Sequence, residues 1–367
     1  MNNRDNYFST AKAIGIILMV VGHTIGPNYL CRFIYMFHMP LFFLCSGYFY
    51  EVPDNFVGFR CFIIKKIKGL YFPYVKWSIV FLILHNLFYT LHFYPTENKY
   101  FGYYNNSDYL YHLKSILTTM TGHDKLLDPF WFLKELFFAS LFVCLISFLL
   151  RKISFKYKDL LLLLTFVALT AITKPEELGV PVIWNLSIMF LGATFYYAGY
   201  LYRKLENVKY YTFKVFLLCL IVVLGFVLIW NKSLDMLWYD ANSVLLYIPI
   251  ALMGIMMVLT SSNFLERFNY VKRMFYYIGK NTLIILALHL LTFKLASLIK
   301  ISIYGLSINR LADTYIEEYN QFFWLIYIIF GIGGPLLCHV ICDIVKRKLN
   351  CMNIHSLIKK MYGIYEI

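Results

Sequence analysis

Charge is what this chain lacks most. Only 15% of its 367 residues are charged, where a soluble domain carries roughly 25%. Hydrophobic residues make up 60% and aromatics 20%, so there is too little polar surface to cover a water-soluble globule and too much Phe and Tyr for disorder. A soluble enzyme, a nucleic-acid factor and a secreted disulfide scaffold are all excluded on these grounds. Paired cysteine motifs are missing too. The eight cysteines form no CxxC pair and lie mostly in apolar runs, which leaves no zinc or disulfide framework. Cys338, His339 and Cys342 share one stretch, but neighbours on one helix read as filler, and no metal is expected. No cleavable signal is expected either, because the apolar run Ala11 to Gly22 is followed almost directly by another without a small-residue cleavage site. No internal repeat of the transporter kind is visible.

What is present is a series of apolar runs long enough for a roughly 30 Å hydrocarbon core. They predict an all-α, polytopic transmembrane helix bundle of about ten spans, at 9–26, 31–50, 71–93, 128–150, 159–174, 182–202, 213–231, 242–261, 274–294 and 320–343. The membrane domain is expected over 1–343 and a basic cytoplasmic tail over 344–367. Acidic residues are scarce beside basic ones, 20 against 34. The basic residues gather at alternate loops, as at Arg60, Lys65, Lys66 and Lys68 or Lys346, Arg347 and Lys348. That asymmetry predicts cytoplasmic termini in a multi-pass inner-membrane protein whose basic loops meet anionic lipid, not nucleic acid. Gly58 to Leu70 is expected to lie on the cytoplasmic membrane surface as a basic amphipathic stretch. Tyr94 to Leu127 is expected to be a long outer loop able to cover a pocket. Gly331-Ile332-Gly333-Gly334-Pro335 is expected to be a kink or a close helix contact, since no strand precedes it as a dinucleotide fingerprint requires.

Ionisable residues inside spans are costly, so they are the functional candidates. Lys12 and His23 are eleven residues apart, which returns to within roughly 20° of the same helical face and separates them by about 16 Å along the axis. One elongated ligand can therefore touch both, its charged end at Lys12. His38 is expected roughly 10 Å into the second span, Glu135 at similar depth in the fourth, and His289 about 22 Å along the ninth. With His23 they form one level in the outer half. His85 comes to a similar height, and His339 falls near the inner end.

Five segments then point to a family. AKAIGIILMVVGHT, FHMPLFFLCSGYFY, KKIKGLYFPYVKW, DPFWFLKELFF and IGKNTLIILALHLL resemble the integral-membrane acyltransferase family 3. Within it they are most similar to bacterial polysaccharide O-acetyltransferases of the fucose 4-O-acetylase-like branch, in family order from the first span to the ninth. The resemblance implies a membrane O-acetyltransferase of the bacterial cell envelope. It would move an acetyl group from cytoplasmic acetyl-CoA to a hydroxyl of a surface polysaccharide or its lipid-linked precursor. It implies that the essential histidine is His23 and that the basic residue eleven before it is Lys12. The His-Met-Pro motif falls on His38, Met39 and Pro40, and the Trp-Phe-Leu motif begins at Trp131. The family's paired basic residues fall on Lys66 and Lys68 or on Lys65 and Lys68. The wider pair is taken, because a three-residue step keeps both on one helical face. Where relatives carry an acidic residue three before the basic one, this chain has Ser9.

The chemistry fits these residues. Lys12, Lys65 and Lys68 would hold the phosphates of the donor. Histidine suits a hydroxyl acceptor as general base, directly or through an acyl intermediate. His38, Glu135 or His289 would orient His23, serve the oxyanion or contact the sugar, and Trp131 would stack on the sugar or anchor the interface. Two other readings compete. One is a glycan or lipid-precursor transporter. The other is a protein or lipid acyltransferase using Asn281 with His289.

Overall fold

The computed structural model describes residues 3–24, 26, 28–95, 102–173, 184–205, 211–230, 234–237, 243–319 and 322–362. Residues 25, 174, 182–183, 231, 242 and 320–321 of six expected spans, and the end of the expected tail (363–367), lie outside them. The described residues are helical, without a strand. In chain order the α-helices are α1 (Asn3–Gly22), α2 (Asn28–Tyr35), α3 (His38–Tyr48), α4 (Phe56–Lys66), α5 (Phe72–Thr90), α6 (Asn106–Thr119) and α7 (Trp131–Leu149). They continue with α8 (Lys158–Ile172), α9 (Trp184–Leu205), α10 (Phe213–Ile229), α11 (Val244–Leu265), α12 (Asn269–Lys280), α13 (Thr282–Tyr304) and α14 (Phe323–Tyr362).

Six helical stretches among the described residues are long and apolar enough to cross a membrane: Asn28–Tyr48, Phe56–Thr90, Lys125–Leu149, Val244–Leu265, Thr282–Tyr304 and Phe323–Lys348. Tyr7–Gly22 and Phe213–Ile229 are apolar but shorter. The protein is thus an all-helical, multi-pass membrane protein. α1 lies centrally, packed against α3, α11 and α12, while α9 packs on α3, α7 and α8 and α13 on α14.

Several expected boundaries move, each for a local reason. The second span is two helices, broken at Met36 and Phe37. In a continuous helix the amide of residue 40 would bond the Met36 carbonyl, but Pro40 has no N–H. The helix restarts instead at His38, which leaves Pro40 in the first turn, where its missing donor is harmless. The ninth span divides at Asn281, where the backbone turns (φ −106°, ψ 20°) and the side-chain amide donates to the Tyr277 carbonyl at 2.9 Å. α12, with Lys272, Arg273 and Lys280 on it, is therefore a separate amphipathic helix. The Gly58–Leu70 stretch is not separate from the third span. It forms α4 and continues through a π-turn, Ile67–Tyr71, into α5. The long loop expected between Tyr94 and Leu127 holds a helix of its own, α6, started by an Asn105–Asp108 capping box.

The glycine-rich run in the last span is a close contact without a break. α14 continues through Pro335, and a Cβ on Gly331 or Gly334 would press into Phe293 or Thr292 of α13. α14 also continues past residue 343, the expected end of the membrane domain, to Tyr362. Two tighter approaches hold the site helices together. A Cβ on Gly47 would overlap the Tyr196 carbonyl, and one on Gly279 the Ser9 carbonyl. α3 and α12 are thereby brought against α9 and α1 backbone to backbone, a contact only glycine permits.

Candidate active site

Lys12 and His23 lie on α1 and its final turn, where the His23 amide still donates to the Met19 carbonyl at 3.1 Å. Each lines a different cavity. The larger, about 740 Å³, is lined by Lys12, Lys65 and Lys66 together with Ser46, Phe132 and Tyr196. Glu51 and Asp54 also border it, but Glu51 pairs with Arg203 at 2.8 Å, which leaves a basic excess. The Lys66 ammonium lies 3.3 Å from the Ser46 hydroxyl and 5.0 Å from the centre of the Tyr196 ring. The smaller cavity, about 240 Å³, is lined by His23, His38, Tyr35, Trp131, Asp128 and Asp235, with no Lys or Arg among the described residues of its walls. Met19 and Met39 line both. The two cavities thus meet at one methionine pair and differ in sign of charge.

The histidines are held differently. His38 Nδ1 donates to the Ile34 carbonyl at 2.9 Å, across the break that Pro40 imposes, and its ring meets Tyr35 edge-on at 5.2 Å. Tyr35 is fixed in turn by donating to the Gly22 carbonyl at 2.9 Å. His289, fully buried on α13, has Nδ1 between the carbonyls of Ile285 (3.0 Å) and Leu286 (3.1 Å). Its Nδ1 must carry the hydrogen, so Nε2 carries a lone pair. That Nε2 is buried with no hydrogen-bond partner among the described residues. The His289 ring centre is 5.3 Å from that of His23.

The family is decided by the whole-chain pattern that carries this geometry. An acyltransferase-domain family model matches residues 5–342, nearly the entire chain. The chain belongs to that acyltransferase family. No curated protein matches it, and no solved structure does.

Not every sequence-selected residue of the acyltransferase reaches this site. His23, His38 and Trp131 share the smaller cavity, with His289 against His23. Lys12 and Lys65 share the larger one. Glu135 is buried but lines neither cavity, and its carboxylate sits 3.4 Å from the neighbouring Lys134 ammonium. Lys68 is exposed on the π-turn and lines neither cavity, whereas Lys66 does line the larger. The helix changes to a π-turn at Ile67, between Lys65 and Lys68, so the two do not share this wall. His85 is also elsewhere. Its Nδ1 donates to Asp124 at 2.9 Å and its Nε2 to the Gly102 carbonyl at 3.0 Å. The ring is stacked between Tyr94 and Tyr104, beneath α6. His339 lies 3.5 Å from Asp343 on α14.

Lys66 was weighed in the sequence but set aside for Lys65, and the residues missed altogether are Tyr35, Asp128 and Asp235. Tyr35 stands three before His38, and Asp128 opens the same DPFW segment that supplies Trp131, so both had a local signal. Asp235 had none. It comes from a short loop stretch, where its carboxylate accepts from the Leu237 amide at 2.7 Å.

Proposed function

We propose that this acyltransferase moves an acetyl group from cytoplasmic acetyl-CoA to a hydroxyl of a surface polysaccharide or its lipid-linked precursor. The observation that carries the reading is that Lys12 and His23, on one helical face, line two cavities of opposite charge that adjoin at Met19 and Met39. The donor belongs in the larger cavity, its phosphates at Lys12, Lys65 and Lys66. The acceptor belongs in the smaller one, where Trp131 offers a face for a sugar ring and Asp128 and Asp235 offer acceptors for its hydroxyls.

His23 takes the proton from the acceptor hydroxyl as its oxygen attacks the thioester carbonyl. The tetrahedral centre then collapses with cleavage of the carbon–sulfur bond, and the imidazolium returns the proton to the departing CoA sulfur. Acetyl ester and free CoA are the products. His289 Nε2, a lone-pair acceptor against His23, suits stabilisation of the imidazolium, and His38 suits a contact to the acceptor. In this reading about ten spans cross the cell membrane with both termini cytoplasmic, which the loop charges favour.

Purified protein given acetyl-CoA should release CoA in proportion to added glycan, and surface glycan from a producing strain should carry acetyl esters that a deletion strain lacks. Identical acetylation in both strains would overturn the proposal.

A further inference from the structure

We infer that Met19 and Met39 form a closable apolar plug between the two cavities, and that its width selects the acyl group. Both residues are nearly inaccessible, at 1% and 6% exposure, yet each contributes to both cavity walls. They come from different helices, α1 and α3, so a boundary made of the two closes by side-chain contact and not along one backbone. His23 follows Met19 by one turn and His38 immediately precedes Met39. Anything passing from the Lys12 side to the histidines therefore passes these two side chains.

The residue type matters. Methionine is unbranched, with three rotatable bonds, so it can yield by changing rotamer while the backbone stays fixed. The backbone here has little freedom, because Gly47 on α3 lies against the Tyr196 carbonyl and Gly15 on α1 against the Leu41 and Phe42 side chains. A gap opened by rotamers alone stays narrow. It admits a two-carbon acyl group and penalises each further methylene, and one methylene in an apolar passage is worth roughly a 10- to 200-fold discrimination. The plug also keeps the acceptor chamber from becoming a continuous water path past the thioester, which would favour hydrolysis.

Acyl selection rests on the transfer reading above, but the plug itself does not, and two measurements separate them. The first compares acetyl-, propionyl- and butyryl-CoA as donors for the wild type, Met19→Ala, Met39→Ala, the double alanine variant and Met19→Leu/Met39→Leu. The propionyl-to-acetyl rate ratio should rise about tenfold or more in the alanine variants and stay near the wild-type value in the leucine pair. The single variants carry the measurement if the double variant is not recovered from membranes. An unchanged ratio in well-folded alanine variants overturns the selection.

The second measurement needs no turnover. Met19→Ser/Met39→Ser protein in vesicles holding a pH gradient should dissipate it several-fold faster than wild type, as a small polar lining wets the boundary. A gradient held equally well by both overturns the plug. A wild type that uses none of the three donors, with a leaking serine variant, overturns the transfer reading and leaves the plug standing.

Discussion

The rings of His23 and His289 face each other at 5.3 Å between centres with 52° between planes, one from the end of α1 and one from the middle of α13. The tautomer of His289 is fixed by its backbone. His289 is tied through Nδ1 to two backbone carbonyls, which fixes its tautomer and leaves Nε2 as a lone-pair acceptor. It is a positioning residue in the proposed reaction. His289→Leu should lower kcat about tenfold or more, the scale of one hydrogen bond to a charged group, with the KM for acetyl-CoA little changed. A purely structural role would instead lower the amount of folded protein and leave kcat per folded molecule intact.

His23→Gln tests the proposed base itself. Glutamine keeps a donor and an acceptor, so a histidine that only bridges helices would be replaced without loss. Removal of a general base should cost about a hundredfold or more in kcat, at normal membrane levels of the protein. A fully active variant would refute the mechanism.

The donor cavity gives a prediction that separates neighbouring lysines. Lys65 and Lys66 line it and Lys68 does not. Lys65→Ala/Lys66→Ala should raise the KM for acetyl-CoA several-fold and weaken its dependence on salt, because phosphate charges lose partners. Lys68→Ala should leave both unchanged. Equal effects from the two variants would place the phosphates elsewhere.

The contrast between these lysines shows what sequence can carry. Helical periodicity put Lys12 and His23 on one face, and that spacing survives because α1 is regular to Gly22. Depth counting along unbroken spans was less secure. It assumed one helix through 31–50 and another through 274–294, where Pro40 and Asn281 each restart the chain. His38 and His289 still arrive beside His23, since each starts or lies within a helix that α1 touches. Glu135 shows the reverse: it is buried on α7, but its carboxylate is set beside Lys134 and lines neither cavity. Depth is a one-dimensional quantity, and which face a residue presents depends on packing between helices that no local pattern encodes. The capping box of Asn105 and Asp108 that starts α6 is a local signal the sequence reading did not use. The contribution of Asp235 was not legible, because a loop reaches a cavity by tertiary packing alone.

Close backbone contact makes Gly47 a stability determinant. A methyl group there meets the Tyr196 carbonyl, and neither helix backbone can yield cheaply. Gly47→Ala should cost about 1–3 kcal/mol or more, read as a lowered Tm in detergent and lower membrane levels. Gly225→Ala is the control, since nothing lies within 4 Å of the added carbon and alanine is the better helix former. Equal Tm values for the two variants would contradict the close approach of α3 and α9.

The segment before α7 gives the pH dependence. His123 lies before the Lys125–Leu149 stretch, its Nδ1 3.1 Å from the Tyr74 hydroxyl. Burial pushes its imidazole down to about 4 from an ordinary 6.5, against the opposing pull of the Asp124 carboxylate. The folded protein therefore holds fewer protons at this position than the unfolded chain does. Its contribution to stability is full above about pH 6.5 and is lost as the pH falls toward 4, by up to about 3 kcal/mol. Thermal unfolding in detergent across that window should show the wild-type Tm falling with pH, and His123→Gln should flatten part of the fall. The glutamine variant keeps a polar partner for Tyr74 and cannot titrate, so a fall as steep as the wild type's would assign the acid lability to other groups.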